Sequence, residues 1–150
     1  MFRSFMVLAV AATAFAGVST AGGQKTDLDV LQGNWQVTSI KDSDMKDPPD
    51  DFIKFFTVNF KKDVMTISAK GMPVVTFKVK LDPSKKPKTI DCTHSDEKDP
   101  DKGKVEPGIY KIEGDVVTIC TNSPDSKERP AAFAIKAGTR IQVVTMKKAK

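Results

Sequence analysis

Apolar and polar residues alternate with a period of two along most of the chain. The clearest alternation runs from Val75 to Leu81, where every second residue is apolar and Thr or Lys stands between. This period predicts a β-strand with one buried face and one hydrated face. Comparable segments, separated by polar turns, predict strands over residues 34–39, 56–61, 65–69, 75–81, 88–93, 108–112, 116–121, 131–135 and 141–146. Eight or nine consecutive strands with short turns are typical of an up-and-down antiparallel barrel, so we expect an all-β fold with a barrel of eight strands.

A short helix is predicted just before the first strand. Thr26 or Asp27 can cap its start, and Gly33 can end it. The composition supports the strand assignment, because residues 22–150 contain 12 Val, 9 Ile and 11 Thr but only 3 Leu. β-branched residues lose side-chain freedom in helices, so this balance excludes a helix bundle. The length predicts one domain over residues 22–150.

Residues 1–21 have the features of an export signal in the expected order. Arg3 precedes an apolar run over residues 5–18, and small residues follow. The run is too short to span a membrane, and no later run is longer. We expect a signal peptide cleaved after Ala21, or alternatively after Ala16, and a periplasmic or secreted protein without a transmembrane segment.

The positive charge of the chain does not indicate a nucleic-acid partner. The formal net charge is +5, carried by 21 Lys and 3 Arg. Nucleic-acid binding favours clustered Arg with interleaved aromatic residues, whereas these Lys residues are scattered. The charge leaves room for a weak attraction to anionic envelope polymers or lipid head groups. We expect a monomer that binds no nucleic acid.

The two cysteines, Cys92 and Cys120, allow two interpretations. A disulfide between them would persist in an exported protein and would close a loop of about 29 residues. Alternatively, they are two small buried hydrophobic residues on separate strands. The sequence does not show whether their Cα atoms lie within bridging distance.

No residue pattern indicates catalysis, a metal or a cofactor. The single histidine, His94, stands beside Ser95 and Asp96 at the edge of a charged loop, which is unsuited to a rigid triad. We interpret it as a solvated loop histidine. Acidic residues 42–51 fit a connection that covers the barrel mouth better than a calcium site. Asp91 and Arg129 are expected to form at most a structural ion pair.

Several sequence blocks resemble a known family. Gly33 and Trp35 form a Gly-x-Trp at the helix-to-strand junction, similar to the lipocalin signature. Four further blocks, residues 81–91, 108–110, 113–120 and 129–133, resemble an uncharacterised lipocalin-like domain family that is abundant in planctomycete bacteria. The resemblance implies a small, often exported barrel without an established activity. It also implies that Trp35 plugs the closed end under a basic residue of the last strand, here Lys147 or Lys148.

The leading functional hypothesis is a binding module for a small apolar molecule. Tyr110 would be the polar handle in an otherwise apolar interior. The alternative is a structural or protein-interaction module of the cell envelope, because side chains can fill the interior of an eight-stranded barrel. The residues expected to line the pocket are Phe56, Val58, Phe60, Val75, Phe77, Val79, Tyr110, Ile112, Val117, Ile119 and Phe133.

Overall fold

Eight antiparallel strands form a closed barrel in which each strand pairs with the next and the last pairs with the first. The computed structural model describes residues 25–43 and 47–150. The predicted all-β, up-and-down eight-stranded barrel with a short N-terminal helix is confirmed. The signal-peptide prediction lies outside the described residues. The strands are β1 (Gly33–Asp42), β2 (Phe56–Lys61), β3 (Val64–Ala69), β4 (Met72–Asp82), β5 (Lys88–His94), β6 (Val105–Glu113), β7 (Val116–Thr121) and β8 (Gln142–Lys148).

The N-terminal helix α1 (Asp27–Leu31) lies at the end of the barrel where β1 begins. Thr26 caps the helix: its hydroxyl accepts from the backbone N–H of Asp29, and the Asp29 carboxylate accepts from the backbone N–H of Thr26. This reciprocal pair satisfies two donors at the helix N-terminus. Leu31 is fully buried, so the helix packs its last residue into the barrel interior.

Large side chains fill the half of the barrel next to α1, which we call the closed half. Within it, Trp35, Phe60 and Tyr110 are each 1% exposed. Ile90 and Val117 complete this packing and have no exposed surface. The opposite half of the barrel, which we call the open half, contains the ends of the strands near Asp42, Ala69, His94, Thr121 and Gln142.

A bulge interrupts the alternation of inward and outward residues in β1. The pairing between β1 and β8 shifts between Val37 and Ser39. The extra residue reverses the facing of the chain, so Ile40 packs against the interior and Ser39 does not. The apolar Ile40, out of phase with Trp35 and Val37, was the sequence signal for this bulge.

The predicted strand over residues 131–135 is wrong. This segment has no regular secondary structure, and it crosses the outer surface of the barrel. Phe133 and Ile135 pack there against the outward side chains of Ile109, Cys120 and Val143. The alternation therefore indicates a segment with one buried face. Such a segment need not be a strand of the sheet. Phe133 does not line the barrel interior, contrary to the prediction.

The acidic connection after β1 contains a second short helix, α2 (Asp50–Ile53). Ile53 is buried in the interior cluster, while Phe52 stays about half exposed and meets Phe56 edge to face at 5.1 Å. The connection is therefore anchored on the barrel by an apolar side chain. Among residues 25–43 and 47–150, no helix has the length and apolar character needed to cross a membrane.

Candidate functional site

The open half of the barrel holds a cavity of about 220 Å³ that is partly open to solvent. Most of its wall is apolar and comes from inward-facing side chains of seven strands, which the period of two places on one face. A polar group of residues from β5, β6, β7 and β8 lies at one end. The lining residues are Val58, Met65, Ile67, Val75, Phe77, Cys92, His94, Glu106, Ile119, Thr121, Gln142, Val144 and Met146.

His94 is the last residue of β5 and only 7% exposed, so its interpretation as a solvated loop histidine is wrong. It shares the inward face of β5 with Ile90 and Cys92. Its ring packs edge to face against Phe77, with 4.7 Å between the ring centroids. Phe77 is also its register partner on β4, so the sheet itself fixes the imidazole beside the cavity.

Two carboxylates hold the His94 ring from opposite sides. Nδ1 lies 2.6 Å from Asp99 Oδ2, and Nε2 lies 3.0 Å from Glu106 Oε1. Asp99 comes from the loop that follows β5, and Glu106 comes from the inward face of β6. Backbone hydrogen bonds between His94 and both Gly103 and Lys104 fold this loop back onto the strand end.

These contacts shift the pKa values of all three groups. Burial lowers the pKa of His94, but the hydrogen bonds and charges of Asp99 and Glu106 outweigh it, so the net shift is upward. The backbone N–H of Asp101 and the His94 ring lower the pKa of Asp99. Burial raises the pKa of Glu106 despite its hydrogen bonds with His94 and Thr121. The hydrogen bonds therefore favour the protonated ring of His94 and the ionised form of Asp99, whereas burial favours the neutral form of Glu106.

Four of the residues predicted to line a pocket do line this cavity: Val58, Val75, Phe77 and Ile119. Phe60, Val79, Tyr110 and Val117 instead fill the closed half and are buried there. Phe56 and Ile112 are partly buried and pack against the same cluster. Phe133 lies on the outside of the barrel.

The polar end of the cavity was not predicted, although the alternation of inward and outward residues in β5 and β6 places its side chains on the inward face. Tyr110 and Ile112 were placed inward, and stepping back by two along β6 reaches Gly108 and then Glu106. The same step forward from Ile90 and Cys92 on β5 reaches His94. His94 was interpreted as a loop residue and Glu106 was left outside the predicted strand, because the apolar pattern ends before the strands do.

Tyr110 is a structural contact and does not offer its hydroxyl to the cavity. It donates to Asp27 Oδ2 at 2.7 Å, and Lys88 Nζ binds the same oxygen at 2.8 Å. Asp27 belongs to α1, so this contact ties the helix to β5 and β6. Burial and the neighbouring Asp27 carboxylate raise the pKa of Tyr110, which keeps the phenol protonated.

Trp35 plugs the closed end, as the resemblance implied, but the basic residue over it is Lys148. Lys148 Nζ lies 4.7 Å from the centre of the ring, and it donates to the backbone oxygen of Gln32. Lys147 faces outward, where its Nζ is 3.9 Å from Asp115, so the placement of Lys147 over Trp35 is wrong. At Gly33, φ is +103°, and a Cβ would lie 3.0 Å from Lys148 Nζ. The positive φ favours glycine at this position.

Cys92 and Cys120 are free thiols on opposite faces of the barrel wall, so the disulfide interpretation is wrong. Cys92 packs inside and Cys120 packs against the outer cluster. Burial raises the pKa of both thiols, that of Cys120 to about 11, so neither is a reactive thiolate at neutral pH.

The ion pair predicted between Asp91 and Arg129 is confirmed. Arg129 Nη2 lies 2.7 Å from Asp91 Oδ1. The other guanidinium nitrogen donates to the backbone oxygens of Ile90 and Gly108, so this pair fastens the outer segment to β5 and β6. It lies outside the cavity. Within the part of the chain that the structure describes, no three His, Cys, Asp or Glu side chains are arranged to hold a metal ion.

Comparisons with family models, with curated proteins and with solved structures find no match to this chain. The family resemblance therefore stays a prediction.

Proposed function

We propose that this protein is an exported binding module that holds a small, mainly apolar molecule in the open half of its barrel. The observation that carries the proposal is the partly open cavity of about 220 Å³ whose wall is mostly Val, Ile, Met and Phe. An apolar cavity that faces solvent is the usual form of a small-molecule site. The export component rests on the sequence of residues 1–21 alone.

The cavity volume limits the size of the ligand. Drug-sized ligands occupy pockets of roughly 300–1,000 Å³, whereas an apolar cavity of about 150 Å³ can bind benzene. A cavity of about 220 Å³ lies between these values. We infer a ligand of one ring or a short chain.

The hydrogen bonds of His94 favour binding over catalysis. Its two ring nitrogens both face carboxylates, Asp99 at 2.6 Å and Glu106 at 3.0 Å. An imidazole that donates from both nitrogens has no lone pair with which to accept a proton from a substrate. The ring is therefore suited to fixing Glu106 in place.

Two neighbouring valines provide a matched test of the proposal. Val75 lines the cavity, while Val74 is 61% exposed. Replacing Val75 with Phe adds a ring to the cavity, whereas V74F adds the same ring to the outer surface. We expect V75F to weaken binding of single-ring probes at least tenfold and V74F to leave it within twofold, measured by calorimetric titration.

The panel of probes is toluene, indole and phenethyl alcohol. Equal binding by V75F and the wild-type protein would contradict the proposed location of the site. A wild-type protein that binds no probe would contradict the proposed function and would favour a role carried by the outer faces and loops.

A further inference from the structure

The polar end of the cavity contains more acidic than basic side chains. The cavity lining contains two ionisable side chains besides Cys92, namely His94 and Glu106. Asp99 lies behind the His94 ring, so the group consists of one imidazole and two carboxyl groups. With the imidazole protonated and both carboxyl groups ionised, the three together carry one negative charge.

No cation found in the described part of the chain neutralises this charge from inside the cavity. Lys104 Nζ, on the loop after β5, is bound to Asp101 at 2.8 Å. Arg140 and Asp42 line a surface pocket that Glu106 also lines. Outside the cavity, Glu106 therefore has one basic and one acidic side chain beside it. Asp101 adds a further negative charge near Glu106.

Glu106 also retains hydrogen-bonding capacity. Its carboxylate accepts from His94 and is hydrogen-bonded with Thr121, and a carboxylate has about four acceptor sites. The neighbouring side-chain oxygen of Gln142 can accept as well. An ammonium group brings three donors and no acceptor, which complements this set. A carboxylate or phosphate ligand would meet repulsion and would lack donors here.

We propose that the ligand of this cavity is a small apolar amine, whose ammonium group binds the Glu106 carboxylate while its apolar body lies among Ile67, Val75 and Val144. This inference rests on the proposed function. It makes Glu106 the residue that selects the ligand class, with His94 and Asp99 as positioning residues. Phenethylamine has the required size and charge and serves as the probe.

Three probes share one aromatic ring and differ in the head group. Their affinities therefore separate the contribution of the head group from that of the ring. We expect phenethylamine to bind the wild-type protein at neutral pH about tenfold more tightly than phenethyl alcohol, because a charge-assisted hydrogen bond is stronger than a neutral one. Phenylacetate should bind most weakly. In E106Q the preference for the amine over the alcohol should disappear, while the alcohol still binds.

The control variant is E113Q, which removes a carboxylate that pairs with Lys111 on the outer surface at the closed end. It should retain the full preference for the amine. Equal or tighter binding of the alcohol or the acid by the wild-type protein would overturn this inference and leave the proposed function standing. Failure of all three probes would count against the proposed function itself. If E106Q does not fold, the ratio of amine to alcohol affinity in the wild-type protein decides.

Discussion

At the scale of single residues, two adjacent lysines at the end of β8 have different roles. Lys148 faces inward over Trp35 and donates to the Gln32 backbone oxygen. Lys147 faces outward and makes one long, solvent-exposed ion pair with Asp115. The sequence predicted a basic residue at this place but could not choose between the two. The strand phase decides, because Met146 and Lys148 share the inward face.

Replacing Lys148 with Met tests this assignment. The change removes a cation–π contact and one hydrogen bond to a backbone oxygen, so we expect a loss of about 1–2 kcal/mol in the free energy of unfolding. K147M should change it by less than about 0.5 kcal/mol, because exposed ion pairs contribute little. Urea unfolding measures both. Equal losses in the two variants would show that the contact over Trp35 does not stabilise the fold.

His94 is the only histidine, so its titration can be followed by NMR without assignment. We expect its pKa to lie above the ordinary value of 6.5, because Asp99 and Glu106 favour the protonated ring. A raised pKa means that proton binding stabilises the folded protein fully below the unfolded pKa, and that this contribution is lost as the pH rises through the raised value.

Removing one partner should lower the pKa of His94. D99N replaces the carboxylate on Nδ1, and we expect the midpoint of the titration to move down. D96N changes a carboxylate of the same loop that caps the backbone of Lys98 and does not touch the ring. It should leave the midpoint in place. A wild-type midpoint below 6.5, or equal shifts in both variants, would contradict the described contacts.

At the scale of secondary-structure elements, most of the barrel could be predicted from the sequence. The predictions were wrong where one local pattern is compatible with two structures. The strands predicted over residues 108–112 and 116–121 pair as β6 and β7, with Tyr110 opposite Ile119 and Ile112 opposite Val117. Residues 131–135 alternate like a strand, yet they cover the barrel from outside. Alternation indicates that one face of a segment is buried. It does not show whether that face lies in the barrel interior or against the outer surface. His94 and Glu106 were missed because charge at a strand end resembles a loop.

The helix α1 depends on a contact that links residues 83 positions apart in sequence. Tyr110→Phe removes the donor to Asp27, and Asp27→Asn removes the charge that also binds Lys88. We expect each variant to lose about 1–2 kcal/mol of unfolding free energy, and the double variant to lose less than the sum by about 1 kcal/mol. A double-mutant cycle in urea measures this coupling. Additive losses would indicate that α1 is held by Leu31 packing alone.

At the scale of the whole molecule, the barrel has a filled closed half and a hollow open half. The sequence left open whether so few large apolar side chains would fill the interior. They fill it only next to α1, where Trp35, Phe60 and Tyr110 meet. The open half is lined mostly by Val, Ile and Met side chains and, at its polar end, by His94 and Glu106. Cavity volume depends on how side chains of eight strands meet in space, which the order of residues alone does not reveal.

The most direct test of the binding proposal is an amide NMR titration of the wild-type protein with phenethyl alcohol, a neutral probe that does not depend on the amine inference. We predict saturable shift changes at Ile67, Val75 and Val144, with little change at the Trp35 indole in the closed half. Shift changes limited to the exposed Phe52 and Phe55, or none at millimolar probe, would contradict the account.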